Sequence, residues 1–170
     1  MATTMSEKIH IIIVDDHPLF REGVAGILRS EPDMEVIGEG ATADEAIRLA
    51  VDLLPDIILL DITMPGGGGL RAAQAIAVAC PVTKIVMLTA SEEEDDVTAV
   101  LKAGARAYIL KGVPARELVR ILRAVWSGEA YVTPTLAAAL LSAMTRPPGN
   151  RQETSPLDQL TEREKQILFD

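Results

Sequence analysis

The sequence predicts an α/β fold built on a doubly wound, five-stranded parallel sheet, and three observations predict it. Five short runs, Ile9–Val14, Met34–Ile37, Ile57–Leu60, Ile85–Leu88 and Ala107–Leu110, are nearly continuous in apolar character instead of alternating. Strands covered on both faces read this way. The runs start about 22–28 residues apart, the length of one strand, loop and helix unit. Helical patterns fill the intervals, and strands alternating with helices pack as a parallel sheet between helical layers.

Each helix has its own signal. After Pro18, the residues Leu19, Val24, Ile27 and Leu28 fall close to one helical face. Thr42 followed by Glu45 forms a capping box, with Ala46, Ile47 and Ala50 beyond it at helical spacing. Leu70 to Ala79 is an alanine-rich helix. Ser91 with Glu94 is a second capping box, followed by Val97, Val100 and Leu101, with Gly104 as a stop. The carboxylates of Glu92–Asp96 crowd the first turn of that helix, where the helix dipole favours them. Pro114 begins a fifth helix carrying Leu118, Ile121, Leu122, Val125 and Trp126.

Beyond Gly128 the character changes. Pro134 to Met144 reads as a separate helix, and residues 146–159, with three prolines and no apolar periodicity, read as a linker. Fully extended, that linker reaches on the order of 45–50 Å. The closing LTEREKQILFD opens on a third capping box, Thr161 with Glu164.

Composition bounds the function. The 170 residues suffice for one well-buried domain plus something small. Aromatic residues make up only 3%, so Val, Ile, Leu and Ala must build the core. The single cysteine, Cys80, has no partner for an intrachain disulfide, which suits a reducing cytoplasm. No apolar run approaches the roughly 20 residues of a membrane helix. Met1–His10 does not have the form of a signal peptide. The net charge of −9 opposes approach to a phosphate backbone, and the final 25 residues, with 4 basic and 5 acidic side chains, do not offset it. The chain is expected in the cytoplasm, away from membranes.

In open α/β sheets, ligands bind outside the carboxyl ends of the strands. That edge should carry Asp15 and Asp16 after the first strand, Asp61 after the third, Thr89 after the fourth and Lys111 after the fifth. Crowded carboxylates repel, so either one takes a proton or a cation neutralises them. His17 is the only nitrogen or sulfur ligand nearby and reads better as a loop residue before Pro18. The set therefore points to a hard ion such as Mg2+. A carboxylate is also a competent nucleophile towards phosphorus, and Lys111 and Thr89 are suited to hold phosphoryl oxygens. This constellation points to phosphoryl transfer.

IIIVDDHPLFREG, IILLDITMPGGGGL, IVMLTA and AYILK, in this order and at strand ends, resemble the receiver domain of bacterial two-component response regulators. The resemblance covers roughly residues 8–128 and implies the flavodoxin-like receiver fold. It implies that Asp61 accepts a phosphoryl group from a sensor histidine kinase. Asp16 would bind Mg2+ directly, Asp15 would assist, and Asp61 and the Thr63 carbonyl would complete the protein ligands. Thr89 would be the switch hydroxyl, Ala90 the small residue that leaves room for phosphate, Lys111 the paired cation, and Tyr108 the switch aromatic. Such a domain is a regulatory phospho-acceptor, an enzyme only towards its own phosphoryl group. The DHPLFREG phrase and the terminal LTEREKQIL resemble the NarL/FixJ subfamily, whose output is a LuxR-type helix-turn-helix.

The expected organisation is a receiver domain over 8–128, a helical extension over 129–145, a linker over 146–159, and over 160–170 the first helix of an all-α output domain that is cut short. Homodimerisation on phosphorylation is expected, with DNA bound only through the full-length output. The alternative is a receiver with a protein-interaction output and no DNA binding. A haloacid-dehalogenase-like phosphohydrolase would need an aspartate where Thr63 stands, and a dinucleotide-binding domain would need a glycine-rich turn that VDDHPLF does not provide. Two departures from the receiver pattern stand out. Gly66–Gly69 adds backbone freedom expected to loosen the loop beside Asp61, and Gly112 follows Lys111 where many receivers have a proline with a cis peptide.

Overall fold

The computed structural model describes residues 7–64, 68–90 and 103–131, together with 137, 138 and 141. The chain divides into two compact units, Met1–Leu136 and Ala137–Asp170. In the second unit the described residues are helical. The predicted helix after Ser91, the linker and the terminal capping box lie outside the described residues.

In the first unit, β1 (Ile9–Val14), α1 (Pro18–Arg29), β2 (Met34–Gly40), α2 (Ala43–Leu53), β3 (Ile57–Asp61), α3 (Gly68–Ala79), β4 (Lys84–Thr89), β5 (Ala107–Leu110) and α4 (Ala115–Trp126) follow in order. The helix labelled α4 is the fifth of the predicted helices. All strands pair in parallel, in the order β2-β1-β3-β4-β5. The chain leaves β1 towards β2 on one side and returns to β3 on the other, so a topological switch point lies between β1 and β3. Crevices for ligands form at such points.

Parity along the strands divides the core. Ile9, Ile11, Ile13, Ile57, Leu59, Val86, Leu88, Ala107 and Ile109 face α1 and α4, where they meet Val24, Ala25, Leu28, Leu118, Ile121, Leu122 and Val125. The alternate residues, among them Ile12, Val14, Ile58, Leu60 and Met87, are also buried, on the face that α2 and α3 cover. Each fully buried branched side chain contributes about 1.5–3 kcal/mol relative to exposure. The alanines at 46, 50, 72 and 73 are buried too, so α2 and α3 meet their neighbours through short side chains.

The capping box of α2 forms as predicted in its first half. The Glu45 amide donates to Thr42 Oγ1 at 3.1 Å, while Glu45 Oε1 accepts from the Ala41 amide at 2.7 Å, one residue earlier than the usual reciprocal bond. Gly104, the predicted stop, has φ +108°, a left-handed conformation that glycine adopts without strain.

Three expectations need correction. Leu19 is 83% exposed, because Phe20, Val24, Ala25, Ile27 and Leu28 define the inward arc of α1 and Leu19 lies nearly a quarter-turn outside it. Trp126 is also largely outside the core, 38% exposed at the last turn of α4. The second strand continues beyond Ile37 through Gly38–Gly40, whose backbone pairs with Ile12–Val14 after a register shift. A Gly-Glu-Gly segment offers no apolar pattern, so this extension had no sequence signal.

Past α4, Tyr131 forms an isolated parallel bridge to Ala107. The Tyr108 amide donates to the Tyr131 carbonyl at 3.1 Å, and the Tyr131 amide donates to the Arg106 carbonyl at 3.0 Å.

Candidate functional site

The carboxyl edge of the sheet collects the predicted polar residues from four strands. Asp15 follows β1 and is buried, and its amide is fixed by the Gly40 carbonyl of β2 at 3.0 Å. Asp61 ends β3 and is equally buried. Lys111 follows β5, with its amide donating to the Thr89 carbonyl at 2.7 Å, so the β4–β5 ladder aims it inward. Lys111 Nζ lies 2.8 Å from Asp15 Oδ2 and 3.3 Å from Asp61 Oδ2. It also sits 4.7 Å from the centroid of the Phe20 ring, within cation–π range.

Asp61 Oδ1 accepts from the Thr63 amide at 3.0 Å and the Thr63 hydroxyl at 2.8 Å, a turn that locks the carboxylate plane. Burial is the largest influence on the Asp61 carboxyl and pushes its pKa up. The two Thr63 bonds and the Lys111 charge together outweigh it, so the carboxyl sits below its ordinary value and stays ionised.

One feature of this loop reverses an expectation. Gly68 and Gly69 are helical and buried, the first turn of α3. A Cβ on Gly69 would lie 2.4 Å from the Asp61 carbonyl oxygen and 2.4 Å from Ile62 Cα. These glycines bring α3 against the backbone that carries Asp61, so here they tighten the site; Gly66 and Gly67 lie outside the described residues.

Thr89 and Tyr108 are both buried. The β4–β5 register pairs Thr89 with Leu110 and Met87 with Tyr108, which puts Thr89 and Tyr108 two positions apart on one sheet face. Ala90 is exposed just past β4. The Tyr108 ring is buried in the unmodified protein, so its burial does not wait on a phosphoryl group.

Three contributors had no clear sequence signal. His17, read as a loop residue, places Nδ1 3.0 Å from Asp15 Oδ1, 3.2 Å from Asp16 Oδ1 and 3.8 Å from Asp61 Oδ2. Arg21, one turn into α1, donates from Nη1 to the Asp15 carbonyl at 2.6 Å and pairs with Glu39 at 3.4 Å, pinning the end of β1 to that of β2. Phe20 supplies the ring beside Lys111. All three lie in the DHPLFREG phrase.

Asp15, Asp16, His17 and Asp61 each offer a ligand atom within 4.8 Å of the others, the one such group among the described residues. Asp15 Oδ2, Asp16 Oδ1 and Asp61 Oδ2 are buried and accept no hydrogen bond of proper geometry. Lys111 approaches two of them as an ion pair off the hydrogen-bond direction. Three carboxylates against one ammonium leave a local deficit of two positive charges. One divalent cation matches that deficit, and the oxygen-rich set suits it.

A parallel sheet in this strand order, with three aspartates and a lysine gathered at its switch point, defines the receiver class of signalling domain. Residues 11–123 match the response regulator receiver domain family, and the chain belongs to that family. It is 36% identical over 161 residues to the response regulator GacA of Pseudomonas aeruginosa, covering 95% of this chain and 74% of GacA. It is 38% identical over 160 residues to the transcriptional regulatory protein LiaR of Bacillus subtilis, covering 94% of this chain and 74% of LiaR.

Among solved structures, a LuxR-family two-component response regulator from Aurantimonas sp. superposes with a TM-score of 0.75 at 31% identity, over 82% of this chain and all of that one. The receiver domain of the response regulator NarL from Mycobacterium tuberculosis gives 0.70 at 34% identity, over 72% of this chain and 99% of that one. These relatives agree with the NarL/FixJ type expected from the DHPLFREG phrase. The chain is a regulatory, signal-receiving domain of a two-component system, and among the described residues no helix is long and apolar enough to cross a membrane.

Proposed function

We propose that Asp61 is the phosphoryl acceptor of a phosphorylation-activated transcriptional regulator. The observation that carries this reading is the buried Asp61 carboxylate, kept ionised by Thr63 and Lys111 and held with one oxygen free of hydrogen bonds. Asp15, Asp16 and Asp61, with the Thr63 carbonyl, would hold Mg2+; when bound, the ion neutralises the carboxylates and draws charge from the incoming phosphoryl oxygens. The Asp61 carboxylate attacks phosphorus of a phosphohistidine on a sensor histidine kinase. The P–N bond breaks as the acyl phosphate forms, and the histidine nitrogen takes a proton. Lys111 leaves its pairing with Asp61 to hold a phosphoryl oxygen, and the Thr89 hydroxyl donates to another, with Ala90 leaving room. The same site, with water as acceptor, would lose the group again.

Drawing Thr89 towards the phosphate alters the packing against Tyr108, two positions away on the same sheet face, and so the surface around β5 and α4. Moving a two-state equilibrium from 1:99 to 99:1 requires about 5.5 kcal/mol of differential stabilisation, and a dianion held by a cation, an ammonium and a hydroxyl in a buried pocket is of that order. In this reading, residues 8–128 form the receiver, 129–145 a helical extension, 146–159 a linker, and 160–170 the opening helix of a LuxR-type DNA-binding output. The protein works in the cytoplasm and dimerises when phosphorylated.

The test is intact-mass spectrometry after incubation with acetyl phosphate, alongside size-exclusion chromatography. A Mg2+-dependent gain of about 80 Da, one phosphoryl group, with earlier elution is expected, and Asp61→Asn abolishes both. A gain that persists in Asp61→Asn would overturn the assignment.

A further inference from the structure

The sequence favoured a hard cation because His17 read as a bystander, and the structure removes that ground. His17 Nδ1 faces oxygens of all three aspartates, at 3.0, 3.2 and 3.8 Å. Ligand atoms bound to one octahedral ion at about 2.1 Å stand about 3.0 Å apart along an edge, so the first two separations are those of neighbouring ligands. The same nitrogen is 3.3 Å from Lys111 Nζ. Without a cation, a protonated Nδ1 donates to Asp15 Oδ1 at 3.0 Å and an unprotonated one accepts from Lys111. A cation in the shared space would take the Nδ1 lone pair together with the carboxylate oxygens, and those four side chains each offer it an atom within 4.8 Å of the others.

Two further observations favour ligation over a purely structural role. His17 is the N-cap of α1 but makes no side-chain capping bond, so the ring is not committed to the helix. The ring is 62% exposed beside two carboxylates that are fully buried, which places it at the mouth through which an ion must enter. The neighbouring buried oxygens, Asp16 Oδ1 and Asp61 Oδ2, have no hydrogen-bond donor of proper geometry.

We propose that His17 is a further protein ligand, through Nδ1, for the cation held by Asp15, Asp16, Asp61 and the Thr63 carbonyl. The inference rests on the reading of this edge as a cation site and deepens it. An imidazole nitrogen adds little for Mg2+, which binds oxygen and keeps several waters. It adds affinity for first-row transition ions, least for Mn2+ and more for Ni2+, which imidazole suits. The site is thus tuned towards transition-metal divalent ions by one residue, without losing its capacity for Mg2+.

The experiment uses the full 170-residue chain, stripped of metal, as wild type and as His17→Gln, titrated separately with MnCl2, NiCl2 and MgCl2. Pulsed electron paramagnetic resonance of the Mn2+-loaded protein should show nitrogen-14 modulation from a bound imidazole, absent in His17→Gln. The variant should bind Ni2+ on the order of 10- to 100-fold more weakly and Mg2+ within about threefold of wild type, with an unchanged far-ultraviolet circular dichroism spectrum. Wild-type Mn2+ without nitrogen modulation would overturn the proposal. An equal loss for Ni2+ and Mg2+ would also overturn it, since that is what a His17 that merely orients Asp15 would produce. If wild type binds none of these ions, the cation site itself is wrong and the inference falls with it.

Discussion

Two glycine-to-alanine substitutions, chemically identical, should move stability in opposite directions. At Gly69 the new methyl group would lie 2.4 Å from the Asp61 carbonyl oxygen, 2.4 Å from Ile62 Cα and 2.9 Å from the Ile62 carbonyl carbon. Carbon contacts are optimal near 3.5–4.0 Å, so α3 would have to retreat by about 1 Å from backbone that cannot swing aside. Overpacking of this kind costs about 1–3 kcal/mol. The helix-propensity gain of alanine over glycine returns at most about 1 kcal/mol, so Gly69→Ala should be less stable by about 1–2 kcal/mol. Gly23 lies in the middle of α1, is exposed, and has nothing within 4 Å of the place a Cβ would take. Gly23→Ala should therefore gain about 0.5–1 kcal/mol. Urea denaturation resolves the difference. With a slope of about 2 kcal/mol/M, Gly69→Ala lowers the midpoint by about 0.5–1 M and Gly23→Ala raises it by about 0.25–0.5 M. Because the retreat of α3 disturbs Asp61 and Ile62, divalent-cation affinity should fall in Gly69→Ala and hold in Gly23→Ala. A Gly69→Ala protein as stable as wild type would refute the argument that close approach, and not loop freedom, is what this glycine supplies.

Three further outcomes can be measured. Lys111→Met leaves the buried Asp15 and Asp61 carboxylates facing each other without a cation. In the absence of metal it should cost about 3 kcal/mol at pH 7. Lys111 helps hold the Asp61 value below its ordinary 3.8, and a depressed carboxylate lends stability above its unfolded value that is lost as pH falls. The deficit should therefore be greatest at neutral pH and close towards pH 3; a gap that stays constant across that range would contradict the assignment. Thr42→Ala removes the acceptor for the Glu45 amide and should cost about 1 kcal/mol, with Thr42→Ser restoring most of it. Arg123→Ala breaks the pairings with Asp33 at 2.9 Å and Glu31 at 2.7 Å. The arginine hydrogen bond outweighs burial and lowers Asp33, so the contribution is present above about pH 4 and lost as pH falls through the Asp33 value. These groups are well exposed, which limits the loss to about 0.2–1 kcal/mol, and high salt should shrink it further.

The sequence alone determined the strand positions, the parallel class of the sheet and the identity of the polar residues at its carboxyl edge. The reason is local: a strand buried on both faces must be apolar throughout, so Ile57–Leu60 ends visibly where Asp61 begins, and the Thr42–Glu45 cap announces its helix within four residues. The tertiary structure decided what depends on contacts between distant segments. Only the β4–β5 ladder brings Lys111 back to Asp15 and Asp61. Only the register of β1 with β2 draws Gly38–Gly40 into the sheet, and only the pitch of α1 sends Leu19 outward while it turns Phe20 and Arg21 to the site. Gly69 and His17 show the limit most clearly. A glycine run signals backbone freedom until a neighbouring carbonyl lies 2.4 Å from its missing methyl group, and a histidine before a proline signals a loop until oxygens of three aspartates converge on its Nδ1. Composition and periodicity report what each residue prefers by itself; which preference prevails is set by the atoms that the fold places beside it.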